Sequence, residues 1–209
     1  MIDYRVYLVT DDPSRYRGNW LDAVTAAVGG GVTCVQYRDT ESPSEVRYQR
    51  ARSLRDALGR VPLIVNNDAE LAAAVGADGV HVGQGDLPPR AVRAIVGAKC
   101  AIGLSITAPE QVAAIDRREV DALGIGPVFD ARRTKRDAAA PLGPEGLGAI
   151  VALTPGLPHV AIGGITTDNA AAVLAAGADG LAVVSAFSQA ENPHEVARAF
   201  RMLSDHRGK

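Results

Sequence analysis

The chain has 209 residues, of which 22% are charged and 47% apolar, and its formal net charge is −2. That length and balance suit one domain with a substantial core. They argue against a broad basic surface for nucleic acid, and no apolar run is long enough to span a membrane, because Arg, Lys, Asp or Gly interrupts each one.

The first residues, Met1-Ile-Asp-Tyr-Arg5, lack the basic-then-apolar layout of a signal peptide. Cys34 and Cys100 each fall inside a strand-like apolar run, which reads as two buried free thiols and a reducing, cytoplasmic setting. Arg5–Thr10 is the first apolar, β-branched run. A helical stretch over Trp20–Val28 follows, and Gly29-Gly30-Gly31 leads into a second run over Val32–Arg38. The alternation then continues: helix Pro43–Leu58, strand Pro62–Asn66, helix Ala69–Val75, strand Gly79–Gly83, helix Pro88–Val96 and strand Cys100–Leu104. Helix Pro109–Asp116, strand Asp121–Gly126, helix Pro144–Leu153 and strand His159–Gly163 come next. Helix Thr167–Ala176, strand Gly180–Ser185 and helix Pro193–Leu203 complete the series. Several helices open with proline near the first turn, where its missing N–H costs nothing.

Eight strands alternating with eight helices predict an α/β chain folded as a single (β/α)8 barrel, at about 26 residues per unit. A doubly wound open sheet is the alternative, but it rarely needs so regular an alternation. An internal echo supports the barrel: the segment Ala74–Val80 (A-V-G-A-D-G-V) reappears at Ala175–Leu181 (A-A-G-A-D-G-L), each time joining a helix to a strand. Glycine ending a helix and Asp-Gly turning into a strand explain it mechanically, so Asp78 and Asp179 read as structural residues of the amino-terminal face.

The active face of such barrels is the carboxyl-terminal one. Gln36 and Arg38 end strand two and, being two apart, share one side of it. Asn66-Asn67-Asp68 ends strand three, Gln84 and Asp86 follow strand four, and Ser105 ends strand five. Strand six feeds the one long irregular stretch, Phe129–Pro141, which carries Arg132, Arg133, Lys135 and Arg136. Strand seven ends in Gly163-Gly164, where the chain backbone can be approached closely, and strand eight ends in Ser185. Val160–Phe187 therefore reads as a phosphate grip. Cations, carboxylates, amides and glycines around one mouth suit a Mg²⁺ ion clamping a pyrophosphate that Arg and Lys also hold. His81, His159, His194 and His206 have no zinc spacing, and His81, in mid-strand, reads as a core histidine.

Several segments carry a resemblance over nearly the whole chain. They are V-Q-Y-R-D-T at Val35–Thr40, L-I-V-N-N-D-A-E-L-A at Leu63–Ala72 and G-A-D-G-V-H-V-G-Q-G-D-L-P at Gly76–Pro88. G-L-S at Gly103–Ser105, G-I-G-P-V-F at Gly124–Phe129, T-K-x-D-A at Thr134–Ala138 and the stretch Val160–Ala186 complete them. In these the chain resembles the thiamine phosphate synthase family. The resemblance implies an enzyme that joins an aminopyrimidine methyl pyrophosphate to a thiazole phosphate and releases pyrophosphate. Residues matching Gln36, Arg38, Asn66, Ser105 and Lys135 hold the pyrimidine pyrophosphate in that family. Those matching Thr134, Gly164, Val184 and Ser185 hold the thiazole phosphate, and Asp86 matches a Mg²⁺ ligand. Arg38, Lys135 and Ser105 are the expected catalytic residues, Mg²⁺ the expected cofactor, and two small molecules the expected partners, with a homo-oligomer left open.

Three positions depart from the family pattern. Thr40 stands where the family has a lysine, Asn67 where it has a second Mg²⁺ carboxylate, and Thr134-Lys135 is preceded by Asp130-Ala-Arg-Arg133. Aligning Asp68 with that carboxylate would delete a helical residue and turn the next apolar face by about 100°, which favours Asn67. One reading keeps the synthase, with Arg132 or Arg133 replacing the lost lysine and Asn67 binding Mg²⁺ through its amide oxygen. The alternatives are a thiazole phosphate tautomerase or a regulatory relative that only binds the thiazole phosphate.

Overall fold

The computed structural model describes residues 1–131 and 139–206. Eight strands among these residues close into one barrel: β1 (Val6–Val9), β2 (Cys34–Tyr37), β3 (Leu63–Asn66), β4 (Gly79–Val82), β5 (Ala101–Ile106), β6 (Ala122–Ile125), β7 (His159–Ile162) and β8 (Gly180–Val183). All pairings are parallel and follow chain order, with β8 returning to β1. The expected (β/α)8 architecture is the observed one, with strand ends shifted by a residue or two.

The pleat divides each strand between two environments. Outward-facing residues such as Leu8, Val35, Leu63, Ile102, Leu123 and Leu181 are buried in one large core shared with the helices. Inward-facing Tyr7, Val9, Cys34, Ile64, Ala122, Val160 and Ala182 form a separate, smaller cluster. Tyr4 joins Tyr7 at the amino-terminal floor of the barrel, with ring centroids 5.8 Å apart. Burying a large aliphatic or aromatic side chain contributes roughly 1.5–3 kcal/mol. Most such side chains lie between sheet and helices, so polar groups can occupy the interior without unseating the fold.

Helices α1 (Trp20–Gly30), α2 (Ser44–Leu58), α3 (Ala69–Val75) and α4 (Pro89–Val96) follow the first four strands. After β6, β7 and β8 come α5 (Gly143–Leu153), α6 (Ala170–Ala175), and the pair α7 (Ser185–Ser188) and α8 (Pro193–Asp205). After β5 the expectation fails: residues 109–116 hold a 3₁₀ helix, Pro109–Ala114, without a buried residue of its own. Val112 and Ile115 pack against the core from that segment, and a three-residue period places them on one side. Ser185, expected to end β8, instead opens α7. Helix α6 starts three residues later than expected, because residues 166–169 form a turn in which Asn169 Oδ1 accepts from the Thr166 N–H at 2.8 Å.

The amino-terminal face repeats one device. Thr33, Asp78, Asp121 and Asp179 each stand one residue before an even-numbered strand and accept from a backbone N–H at the start of the strand before it. The donors are Val6 at 3.0 Å, and Leu63, Ile102 and His159 each at 2.8 Å. Arg55 of α2 pairs with Asp78 at 2.6 Å and Arg93 of α4 with Asp121 at 2.7 Å. Each arginine also donates to the carbonyl of the glycine that ends its helix, Gly59 or Gly97. Gly76, at φ 66°, ends α3 in the left-handed region just before Asp78, and Gly177, at φ 104°, stands likewise before Asp179. The sequence echo is this clasp seen twice.

Candidate active site

The carboxyl ends of the strands surround a cavity of about 1100 Å³ that reaches down to Tyr4 and Tyr7. Gln36, Arg38, Asn66, Asn67, Asp86, Ser105, Gly164, Val184 and Ser185 all line it. Thr134 and Lys135 lie outside the described residues, as do Arg132 and Arg133. Ala131 and Ala139, the described residues on either side of that segment, both line the cavity.

Two polar pairs occupy the deep part of the cavity. Gln36 Nε2 donates to the Tyr7 hydroxyl at 2.8 Å, and both side chains are buried, so the direction of the Gln36 amide is set from below. Burial pushes the Tyr7 phenol well above its ordinary pKa, which keeps it a neutral partner. On the other side, His81 points inward from β4 with Nε2 2.9 Å from Ser105 Oγ. Burial lowers the His81 pKa to about 4, against a smaller upward pull from the Asp86 charge. The imidazole is therefore neutral near pH 7. The reading of His81 as a satisfied histidine agrees with this, but its partner, Ser105, lines the cavity.

Charge is distributed around the rim. The Arg38 N–H donates to Thr10 Oγ1 at 2.9 Å, anchoring the end of β2 to β1. Among the described residues no carboxylate pairs with the Arg38 guanidinium. Its neighbours differ: Arg47 is held by Asp68 and Arg50 by Asp39, each at 2.9 Å. Burial raises the Asp39 carboxyl, but the Ser42 N–H and Arg50 outweigh it and hold the group below its ordinary range. Thr40, which stands where the resembled family has a lysine, spends its hydroxyl on Glu41 at 3.2 Å.

Asp86 Oδ2 accepts from the Gly83 N–H at 2.7 Å, which fixes the carboxylate at the cavity edge. Nothing among the described residues bonds its Oδ1. Asn67 is the one non-glycine residue with positive φ, 62°, among the described residues, and its N–H donates to the His81 carbonyl at 2.8 Å. Asparagine tolerates that conformation better than most residues. Asp68 is committed elsewhere: it caps α3 through the Leu71 N–H at 2.9 Å and pairs with Arg47. The position facing the cavity is thus Asn67. Among the described residues no three His, Cys, Asp or Glu side chains cluster as a metal site.

Across the mouth, the Gly163-Gly164 turn has a second reason to be glycine. A Cβ on Gly163 would come within 2.5 Å of Pro127, and one on Gly164 within 2.7 Å of Phe129. The missing side chains admit the start of the β6–α5 loop, in addition to lining the cavity. Asp11, Asp12 and Arg15 line the cavity too, after β1, and were not expected there. Asp11 is buried and accepts from Ser188 Oγ at 2.9 Å, tying that loop to α7, whose first residue is Ser185. The signal was present, since Thr10-Asp11-Asp12 is a polar run at the carboxyl end of a strand. Tyr7 gave no such signal, because nothing in β1 alone shows that it meets Gln36.

A family model described as thiamine monophosphate synthase matches residues 6–187. The thiamine-phosphate synthase of Laribacter hongkongensis is 46% identical over 210 residues, 99% of this chain and 98% of that protein. The one from Chloroflexus aurantiacus is 44% identical over 205 residues, 97% and 94% of the two chains. Among solved structures, a thiamine phosphate pyrophosphorylase from Pyrococcus furiosus superposes with a TM-score of 0.87 at 31% identity, covering 99% of this chain and 98% of that one. A 3-hexulose-6-phosphate synthase from Salmonella typhimurium, at 15% identity and a TM-score of 0.74, shares the fold.

Proposed function

Because the chain belongs to the thiamine monophosphate synthase family, we propose that it condenses an aminopyrimidine methyl pyrophosphate with a thiazole phosphate, giving thiamine phosphate and pyrophosphate. The observation that carries the synthase reading, as against one confined to the thiazole phosphate, is Arg38. It brings to the cavity a guanidinium that no described carboxylate neutralises, on the rim that also bears Asn66 and Asp86. An unpaired cation in a cavity also lined by hard oxygen donors suits a pyrophosphate, as a second anion site apart from the Gly164–Ser185 side that would take the thiazole phosphate.

The bond from the methylene carbon to the pyrophosphate oxygen breaks first, and the leaving group keeps the electron pair. The electron-rich aminopyrimidine bears the positive charge left on the methylene. The thiazole nitrogen then supplies the electron pair of the new C–N bond, so no general base is needed. Gln36, Asn66 and Ser105 hold the pyrimidine pyrophosphate, and Arg38 and Lys135 neutralise charge growing on the departing oxygens. Thr134, Gly164, Val184 and Ser185 hold the thiazole phosphate across the mouth.

Mg²⁺ fits the donor set. It usually keeps several waters and takes one or two protein oxygens besides substrate phosphates, and the free Oδ1 of Asp86 and the Asn67 amide offer that number. When bound it would share in neutralising the leaving pyrophosphate. A reducing, cytoplasmic setting belongs to the same reading, supported by the two buried free thiols. The test is to mix the chain with both substrates and Mg²⁺ and follow thiamine phosphate and pyrophosphate together. Equal amounts of both are expected; turnover of the thiazole phosphate alone, or binding of it without turnover, overturns the reading.

A further inference from the structure

We propose that His81 is a positioning residue for this reaction: its imidazole donates Nε2–H to the Ser105 hydroxyl oxygen and thereby directs the Ser105 proton at the pyrimidine substrate, a role that rests on the synthase function proposed for the cavity.

The ring sits in a built slot. In the barrel register His81 lies opposite Gly103, and Ser105 lies opposite Gly124. A Cβ on either glycine would strike the imidazole. Two side-chain-free positions on adjacent strands thus give the ring its room, and within it Nε2 reaches Ser105 Oγ at 2.9 Å. Ser105 is itself held through its carbonyl, which accepts from Gln84 Nε2 at 2.7 Å.

A neutral imidazole carries one N–H and one lone pair, and a hydroxyl carries one proton and two lone pairs. The polarity of the His81–Ser105 bond therefore decides what Ser105 offers a ligand. Nδ1 is the ring atom nearest the Gly103 position, and among the described residues it has no hydrogen-bond partner. A proton placed there would meet no protein acceptor among the described residues, only solvent from the cavity, whereas one on Nε2 has a protein partner. Placed on Nε2, the proton meets Ser105 Oγ. The hydroxyl then accepts from His81 and keeps its own proton for an acceptor atom of the substrate, a ring nitrogen or a pyrophosphate oxygen. The opposite tautomer would leave Ser105 able only to accept. His81 touches no reacting atom; it acts through Ser105.

A double-mutant cycle separates this from simple core packing. His81→Leu, which fills the slot without a donor, is expected to lower kcat/KM about tenfold, the effect of one lost hydrogen bond. His81→Gln, which can place an N–H near the Nε2 position, recovers most of that loss. In a Ser105→Ala background His81→Leu adds less than about twofold, because its route is gone. Additive losses in the two backgrounds, or equal losses in the Leu and Gln variants, overturn the proposal. Nitrogen NMR of the histidine-labelled wild-type chain needs no variant to fold: a proton on Nε2 supports the role and a proton on Nδ1 overturns it. Wild-type synthesis of thiamine phosphate is measured alongside. Its absence is a failure of the proposed function, whereas its presence with an additive cycle is a failure of the His81 role alone.

Discussion

Arg38 and Asp39 are chain neighbours at the end of one strand, and their surroundings give them different work. Asp39 also borders the cavity, but its side chain is 7% exposed and is met by Arg50 at 2.9 Å and the Tyr37 hydroxyl at 3.1 Å. A carboxyl held below its ordinary range in the fold binds fewer protons folded than unfolded between the two values. It stabilises above the unfolded pKa, and that contribution is lost as pH falls through the depressed folded value. Asp39→Asn should therefore cost about 2 kcal/mol at neutral pH, with the gap from wild type narrowing under strong acid; urea unfolding at both pH values checks it, and a constant gap would rule out the charge as the cause. Asn67 offers the converse experiment. It occupies a left-handed backbone position that aspartate also tolerates, and a carboxylate there adds a charged oxygen to the cavity that Asp86 also lines. Asn67→Asp is expected to lower the Mg²⁺ concentration for half-maximal turnover about tenfold, read from metal titrations of thiamine phosphate formation.

At the scale of elements, the even-numbered strands share an entrance. Each is preceded by a side-chain acceptor, threonine once and aspartate three times, that holds the start of the neighbouring strand. A backbone N–H at a strand start has no ladder partner guaranteed, and leaving it unsatisfied is costly. Asp121 meets both Ile102 N–H and Arg93, so Asp121→Ala removes two bonds at once. Discounting for its roughly half-exposed side chain, the loss should be about 1–2 kcal/mol, measured by denaturant unfolding, with kcat/KM per folded molecule unchanged. The cavity lies at the other end of the strands, which is why stability and activity separate in this test. A loss of activity without loss of stability would place Asp121 in the wrong role.

For the whole molecule, closure of the barrel decides how far its two thiols are kept from solvent. Cys34 faces the barrel interior and is fully buried, while Cys100 lies just before β5 and is slightly accessible. Burial pushes both thiols up from their ordinary pKa, Cys34 the further, so neither is a ready thiolate. An aromatic disulfide reagent should modify Cys34 only where the barrel has opened, so its labelling midpoint in urea should coincide with the loss of far-ultraviolet dichroism. Labelling of Cys34 at urea concentrations where the dichroism is intact would show that the barrel opens locally.

The alternation of apolar runs with helical stretches by itself determined the barrel, because period and punctuation are local properties of the chain. The cavity-lining residues Gln36, Arg38, Asn66, Asp86 and Ser105 were legible for the same reason: each stands at the carboxyl end of a strand, and in this fold that address is enough. Local periodicity could not show that residues 109–116 would wind as a 3₁₀ helix, since that depended on where Val112 and Ile115 met the core. Nor could it show that the Gly163-Gly164 turn makes way for Pro127 and Phe129, or that Asp68 would be drawn off to cap α3 and leave Asn67 at the cavity. The pairs Tyr7–Gln36 and His81–Ser105 join residues 29 and 24 apart in the chain. Their meeting depends on barrel register and on the absence of side chains at Gly103 and Gly124. Those are facts of three-dimensional packing, and only the closed barrel decided them.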